Sequence, residues 1–267
     1  MTITSNVEDR IGTITIDRAE KLNALDPDHL RALRHQLADL SSDPGVNVIV
    51  ITGAGGRAFC VGADLTATPA GGTGVAEAFP MDVEQSGESG LYIRLFDLSG
   101  LQIRKPVIAA VDGYCLGGGL ELALQCDLIV ASDAASFGLP EVVVASVPGG
   151  GGATNLMRAV PRAVAMRMLL TGERIDAQRA FAAGLVSDVW PVERFADETN
   201  ALAHRIASNG PLAVQMVKML ASQTATLPSL QAFQLTELAW GLLRDTADRR
   251  EGRQAFVEKR KPVYIGR

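Results

Sequence analysis

The sequence predicts an α/β chain, a mostly parallel sheet wrapped by helices and followed by an all-helical C-terminal third. Short apolar runs rich in β-branched residues alternate with helical patterns up to about residue 131, which implies crossover units. From about residue 155 the texture changes, and helical spacing dominates apart from a short strand-like run over 186–190. The 27 glycines supply the third observation, because they cluster where predicted strands end.

Residues 2–7 and 11–17 are β-rich runs around Glu8, Asp9 and Arg10, a hairpin pattern. Asp26-Pro27 begins a helix, with an N-cap acceptor ahead of a proline at the first helical position. Leu30, Leu33, Leu37 and Leu40 then repeat at helical spacing as far as Pro44. Residues 46–52 and 106–111 read as buried strands, and 127–131 as another. Leu91, Leu95 and Leu98 mark a helix between the first two of these, and a further helix opens at about Gly118. Residues 66–76, uncharged and built mainly from Gly, Ala, Thr and Pro, read as a loop. Beyond residue 155, the stretches 162–170, 176–183, 192–208, 211–222, 230–244 and 248–260 are expected to be helices. The chain therefore divides into a core over 1–195 and a helical region over 196–267.

Composition excludes several classes of function. The 267 residues carry 25 basic and 30 acidic side chains, a net charge of -5, so electrostatics give nucleic acid no reason to bind. Three cysteines are too few for a disulfide scaffold and suit a reducing compartment. No apolar run reaches the ~18 residues of a membrane span, and residues 1–10 lack the apolar region of a signal peptide. The expectation is a cytoplasmic protein. His29, His35, His204, Cys60, Cys115 and Cys126 show no metal-ligand spacing, so no metal is expected. Neither a P-loop nor a G-x-S-x-G elbow occurs. Gly53 to Ala58 fit a loose G-x-G-x-x-A dinucleotide pattern, but no periodic helix follows.

Two glycine clusters have acids beside them. Gly117, Gly118 and Gly119 lie where a helix begins, and unpaired first-turn N–H groups there can face a developing oxyanion. Glu121 follows on roughly the same face, the only charge between Gly113 and Gln125. Glu141 is likewise the only charge between Ala134 and Met157, with the glycines at 149–152 just beyond it. A carboxyl among such neighbours is either turned to solvent, partnered by an arginine, or buried with a raised pKa suited to acid–base work.

These residues resemble a known family. Phe59-Cys60-Val61-Gly62-Ala63-Asp64-Leu65 and Lys105-Pro106-Val107-Ile108-Ala109-Ala110-Val111-Asp112-Gly113-Tyr114 are similar to segments of the enoyl-CoA hydratase/isomerase (crotonase) superfamily. So are Leu116-Gly117-Gly118-Gly119-Leu120-Glu121-Leu122-Ala123 and Phe137-Gly138-Leu139-Pro140-Glu141. Leu22-Asn23-Ala24-Leu25, Leu170-Thr171-Gly172-Glu173-Arg174 and Ala183-Gly184-Leu185-Val186 extend the match over essentially the whole chain.

The resemblance implies a crotonase-like spiral of repeated ββα units, with the C-terminal helices covering the site and packing between subunits of a trimer or hexamer. It implies an acyl-CoA substrate, coenzyme A being part of that substrate and no separate cofactor being needed. The backbone N–H groups of Ala63 and Gly118 match the oxyanion donors. Lys21, Leu22, Ala24, Gly62, Asp64, Leu65, Gly117 and Lys259 fall at substrate- or CoA-binding positions. Glu121 and Glu141 match a pair that holds a water between them in hydratases. Glu121 would activate that water toward Cβ of a 2-trans-enoyl-CoA, and Glu141 would deliver a proton to Cα.

Siblings differ in their acids. Dienoyl-CoA isomerases and hydroxyisobutyryl-CoA hydrolases place a further acid where this chain has Gly149. Many simple enoyl-CoA isomerases lack the first glutamate, so both acids together favour a hydratase over a Δ3,Δ2-enoyl-CoA isomerase. Thr66 stands where many hydratases have a lysine, and the stretch from Thr66 to Arg104 is longer than in a short-chain hydratase. A non-enzymatic alternative is a CoA-ligand sensor or an RNA binder. Its hint, Arg31, Arg34 and His35 on one helix, reads more simply as a solvated face.

Overall fold

The computed structural model describes residues 2–67, 75–78, 80–83, 85 and 91–267. A six-stranded sheet runs in the order β1-β2-β3-β5-β7-β10: β1 (Ile3–Glu8), β2 (Ile11–Ile16), β3 (Val48–Gly53), β5 (Val107–Val111), β7 (Leu128–Ser132) and β10 (Asp188–Trp190). Only β1 is antiparallel to its neighbour, pairing Ile3 with Ile16 across the expected hairpin. A second sheet has the order β4-β6-β8-β9: β4 (Ala58–Cys60), β6 (Tyr114–Leu116), β8 (Ser136–Gly138) and β9 (Ile175–Asp176).

The two sheets grow together. In each of the successive pairs β3/β4, β5/β6 and β7/β8, the first strand joins the large sheet and the second joins the small one. This is the spiral of ββα units. The central strands are apolar throughout because both of their faces are covered. Ile49 and Ile51 of β3 pack inward with Phe59, Cys115 and Phe137, while Val48 and Val50 face outward. That outer face is covered by the Val192–Ala207 helix through Phe195, Ala203 and Ala207. The 195/196 division thus runs through a helix packed on the sheet.

Local signals explain the first helix well. Asp26 caps Pro27–Ser42 by accepting from the His29 N–H at 3.0 Å, and Leu30, Leu33, Leu37 and Leu40 are buried. Two expectations need correction. Leu91, Leu95 and Leu98 do not lie on one helix, but on two short 3-10 turns, Tyr92–Phe96 and Ser99–Leu101, and the link between them. Side chains satisfy the backbone there in place of helix bonds. Arg34 donates to the Leu95 and Asp97 carbonyls, and Gln125 accepts from the Leu98 N–H at 2.8 Å. Arg34 is consequently buried, so Arg31, Arg34 and His35 do not form a solvated basic face. Residues 149–151 form a turn, and Gly152 opens the helix Gly152–Ala159. Of the segment 66–76, residues 68–74 lie outside the described residues, and Val75–Ala78 forms a helical turn.

The helices Pro211–Thr224, Ser229–Arg244 and Ala247–Glu258 complete the chain. They leave Leu230, Phe233, Leu242 and Phe256 exposed. No described helix is long and apolar enough to cross a membrane.

Candidate active site

The first part of the site is the turn after β4. Gly62 adopts φ +94°, a conformation costly for residues with a Cβ. The Leu25 N–H donates to the Gly62 carbonyl at 2.8 Å, and the Asp64 N–H donates to the Leu25 carbonyl at 2.9 Å. In this parallel bridge the flanking residues make the bonds, so the N–H of Ala63 itself points away from Leu25. No described residue accepts from it.

Arg18 holds this turn from below. Its guanidinium donates to the Ala24 carbonyl and to Asp64 Oδ2, the latter at 3.2 Å. Lys21 Nζ adds a 2.7 Å ion pair to the same oxygen, and the Thr66 hydroxyl donates to Oδ1 at 2.6 Å. Led by the bond from Lys21, and with those from Thr66, the partners hold the Asp64 carboxyl well below the usual carboxylate range. Buried Asn23 completes the frame. Its side chain accepts from the Arg18 N–H at 2.9 Å and donates to the Ala54 and Ala58 carbonyls at 3.0 and 2.6 Å.

The second part is the helix Gly118–Ala123. Gly117 has φ +54° and ψ −131°, a conformation open to glycine, and it turns the Gly118 N–H outward at the helix start. No described residue accepts from that N–H either. Each glycine here is needed because another group sits against it. A Cβ on Gly118 would lie 2.4 Å from the Phe96 ring, and one on Gly119 would lie 2.1 Å from the Cys60 carbonyl oxygen. A Cβ on Gly62 would lie 2.7 Å from the Gly118 nitrogen, so the two turns are in direct contact.

The third part is the pair of glutamates. Glu121 is 1% exposed, and its Oε1 accepts from the Gly152 N–H at 2.8 Å. Burial pushes its carboxyl up to about 7; the Gly152 N–H works against that, and the Glu141 charge adds to it. Glu141 stands on the 3-10 turn Pro140–Val144 beside Gly117, whose Cβ would lie 3.3 Å from Glu141 Oε1. Its Oε2 is buried with no hydrogen-bond partner among the described residues, and burial raises its pKa as well. Two neighbouring buried carboxyls cannot readily ionise together, so this site favours one protonated and one charged group.

The remaining sequence-predicted residues distribute unevenly. Ala24, Gly62, Asp64 and Gly117 build the two turns. Leu22 adopts a left-handed conformation at φ +52°, and Leu65 is 71% exposed beside Asp64. The Lys21 ammonium is engaged by Asp64. Lys259 ends the helix Ala247–Glu258, and its N–H bonds remain within that helix. The glycines at 149–152 serve Glu121 in addition to following Glu141. A Cβ on Gly150 or Gly152 would lie 2.9 Å from a Glu121 carboxylate oxygen.

Sequence reasoning missed Arg18, Asn23, Phe96 and Gln125. Asn23 carried a signal through the Leu22-Asn23-Ala24-Leu25 motif, and Gln125 because it lies one turn beyond Glu121. Its amide donates to the Glu121 and Phe96 carbonyls at 2.9 and 2.8 Å, tying the helix to the Phe96 turn.

The fold and site define a spiral α/β protein that sets two backbone N–H donors, without an acceptor among the described residues, beside two carboxyls whose pKa burial raises. The chain belongs to the enoyl-CoA hydratase/isomerase family, whose model matches residues 6–267. It is 42% identical over 266 residues to the (E)-benzylidenesuccinyl-CoA hydratase of Thauera aromatica, covering 100% of both chains. It is 38% identical to the 2,3-dehydroadipyl-CoA hydratase of Escherichia coli over 97% of each. Among solved structures, an enoyl-CoA hydratase from Bacillus anthracis superposes with a TM-score of 0.89 at 35% identity, covering 100% of both chains.

Proposed function

We propose that the chain is an enoyl-CoA hydratase, a hydro-lyase adding water reversibly across the 2-trans double bond to give a 3-hydroxyacyl-CoA. The observation that carries this reading is the convergence of Glu121 and Glu141 on the turns that present the Ala63 and Gly118 N–H groups. The thioester oxygen accepts from both N–H groups, which stabilises the enolate that forms as water adds. Ionised Glu121 takes a proton from the water, and the new C–O bond forms at Cβ. Protonated Glu141 gives its proton to Cα as the enolate collapses. One water is consumed, and its O–H and H end on adjacent carbons. A proton then passes from Glu121 back to Glu141, which restores the starting state.

The raised pKa of both carboxyls suits this exchange, because each must hold and release a proton near neutral pH. The related hydratases act on differently named acyl groups, so the family alone leaves the acyl specificity of this chain open. The apolar surface of the C-terminal helices supports assembly of copies, and a cytoplasmic homotrimer or homohexamer is the form proposed.

The test is to supply purified protein with a 2-trans-enoyl-CoA and, separately, with a 3-enoyl-CoA. Hydration of the first is expected. Rapid conversion of the 3-enoyl-CoA to the conjugated isomer with no hydration of either would instead establish the isomerase reaction.

A further inference from the structure

We infer that the substrate carries a carboxylate at the far end of its acyl chain, received by Arg94 in a large cavity behind Glu121. This rests on the hydratase reading, which places the thioester carbonyl at Ala63 and Gly118 and Cβ at Glu121. Acyl carbons beyond Cβ must then pass Glu121.

A cavity of about 1180 Å³ begins there. The glycines at 149–151 line it, and Gly150 is the residue whose Cβ would touch Glu121 Oε2. Leu124 and Gln125, one turn beyond Glu121, form another part of its wall, and the helix Pro211–Thr224 closes the far side. This volume exceeds what a short acyl group fills, since small-molecule sites commonly span ~300–1,000 Å³.

Its lining is mixed. Leu98, Leu124, Leu212 and Met216 offer apolar wall for the methylenes of an acyl chain, and Asn155 and Gln215 add polar groups. What sets the chemistry of the chain's end is the charge on that wall, since a half-buried cation there is satisfied by an anion.

The charges along the wall select the partner. Lys218 is engaged, with Nζ 2.6 Å from Asp127 Oδ2 and 2.8 Å from the Lys105 carbonyl. Asp97 is exposed and accepts from the Ser99 N–H at 2.8 Å. Arg104 is exposed at the rim. Arg94 is half-buried, and one of its N–H groups donates to the Met81 carbonyl at 2.9 Å. Among the described residues no other group accepts from its guanidinium, and the remaining fork matches a carboxylate bidentately. The substrate class is therefore the mono-CoA thioester of an unsaturated dicarboxylic acid.

The experiment compares kcat/KM for the CoA thioester of a 2-unsaturated six-carbon dicarboxylic acid with that for 2-hexenoyl-CoA, in wild type, Arg94→Met and Arg94→Lys. Wild type should prefer the dicarboxylic substrate by about tenfold or more. Arg94→Met should erase that preference through a loss of about 10- to 100-fold confined to the dicarboxylic substrate, the worth of a charged hydrogen bond. Arg94→Lys should retain part of it. An unchanged ratio in Arg94→Met, or an equal loss on both substrates, would overturn the inference; equal loss would place Arg94 against the CoA portion instead. If wild type hydrates neither compound, the hydratase reading fails and calorimetry with the two saturated acyl-CoAs decides this point separately. Tighter binding of the dicarboxylic compound that disappears in Arg94→Met supports the Arg94 site, and equal binding of the two refutes it.

Discussion

Replacing Glu121 by glutamine should make the protein more stable at alkaline pH while abolishing turnover. In the folded chain this carboxyl titrates at about 7, against an ordinary 4.5. Holding it ionised in its buried site therefore costs about 3 kcal/mol relative to the unfolded chain. Below pH 4.5 the group is protonated in both states, and its contribution is fully present. As pH rises toward 7, the unfolded chain releases the proton while the folded chain keeps it, and that contribution is lost. Glutamine does not titrate, and its amide oxygen can still accept from the Gly152 N–H. The stability of the variant relative to wild type should thus rise by up to about 3 kcal/mol between about pH 4.5 and pH 8. Urea unfolding of both proteins across that range, at one fixed protein concentration, measures the difference. A gap independent of pH would refute the claim that burial raises the Glu121 pKa above its ordinary value.

Glu141→Gln removes the charge that helps hold Glu121 up, so an NMR titration of the Glu121 carboxyl should find it ionising at lower pH than in wild type. An unchanged titration would show that the two carboxyls do not sense each other. Gly62→Ala combines a left-handed φ of +94° with a Cβ 2.7 Å from the Gly118 nitrogen, and should cost about 1–3 kcal/mol in denaturant unfolding. It should also lower kcat more than it raises KM, because it displaces both N–H donors. Arg18→Gln removes the guanidinium from Asp64, which keeps Lys21 and Thr66, and should cost about 1.5–3 kcal/mol, with Arg18→Lys recovering part of that in the same unfolding assay. A cost below about 1 kcal/mol, the level of an exposed pair, would show that Arg18 does not brace the turn.

The layout of the sheet was legible wherever burial on both faces left uninterrupted apolar runs, as in β3, β5 and β7. The small sheet was not, because β4, β6 and β8 span three residues each and carry no usable period. The segment around Leu95 read as a helix since its leucines have helical spacing, but the bonds that settle it come from Arg34 and Gln125, distant in sequence. The acids of the site stood out as lone charges in apolar stretches, which is the pattern burial leaves. Arg18 sits in an ordinary polar segment and Asn23 in a short motif that gives it no role, and only the folded chain shows what they hold. The same applies to the cavity beside Arg94, whose walls come from five separate segments.

Initial hydration rates of a 2-trans-enoyl-CoA by wild type, Glu121→Gln and Glu141→Gln test most directly whether these two carboxyls form one acid–base pair. Each variant should retain its fold and lose at least ~100-fold in kcat. Hydration near the wild-type rate by either folded variant would contradict the account.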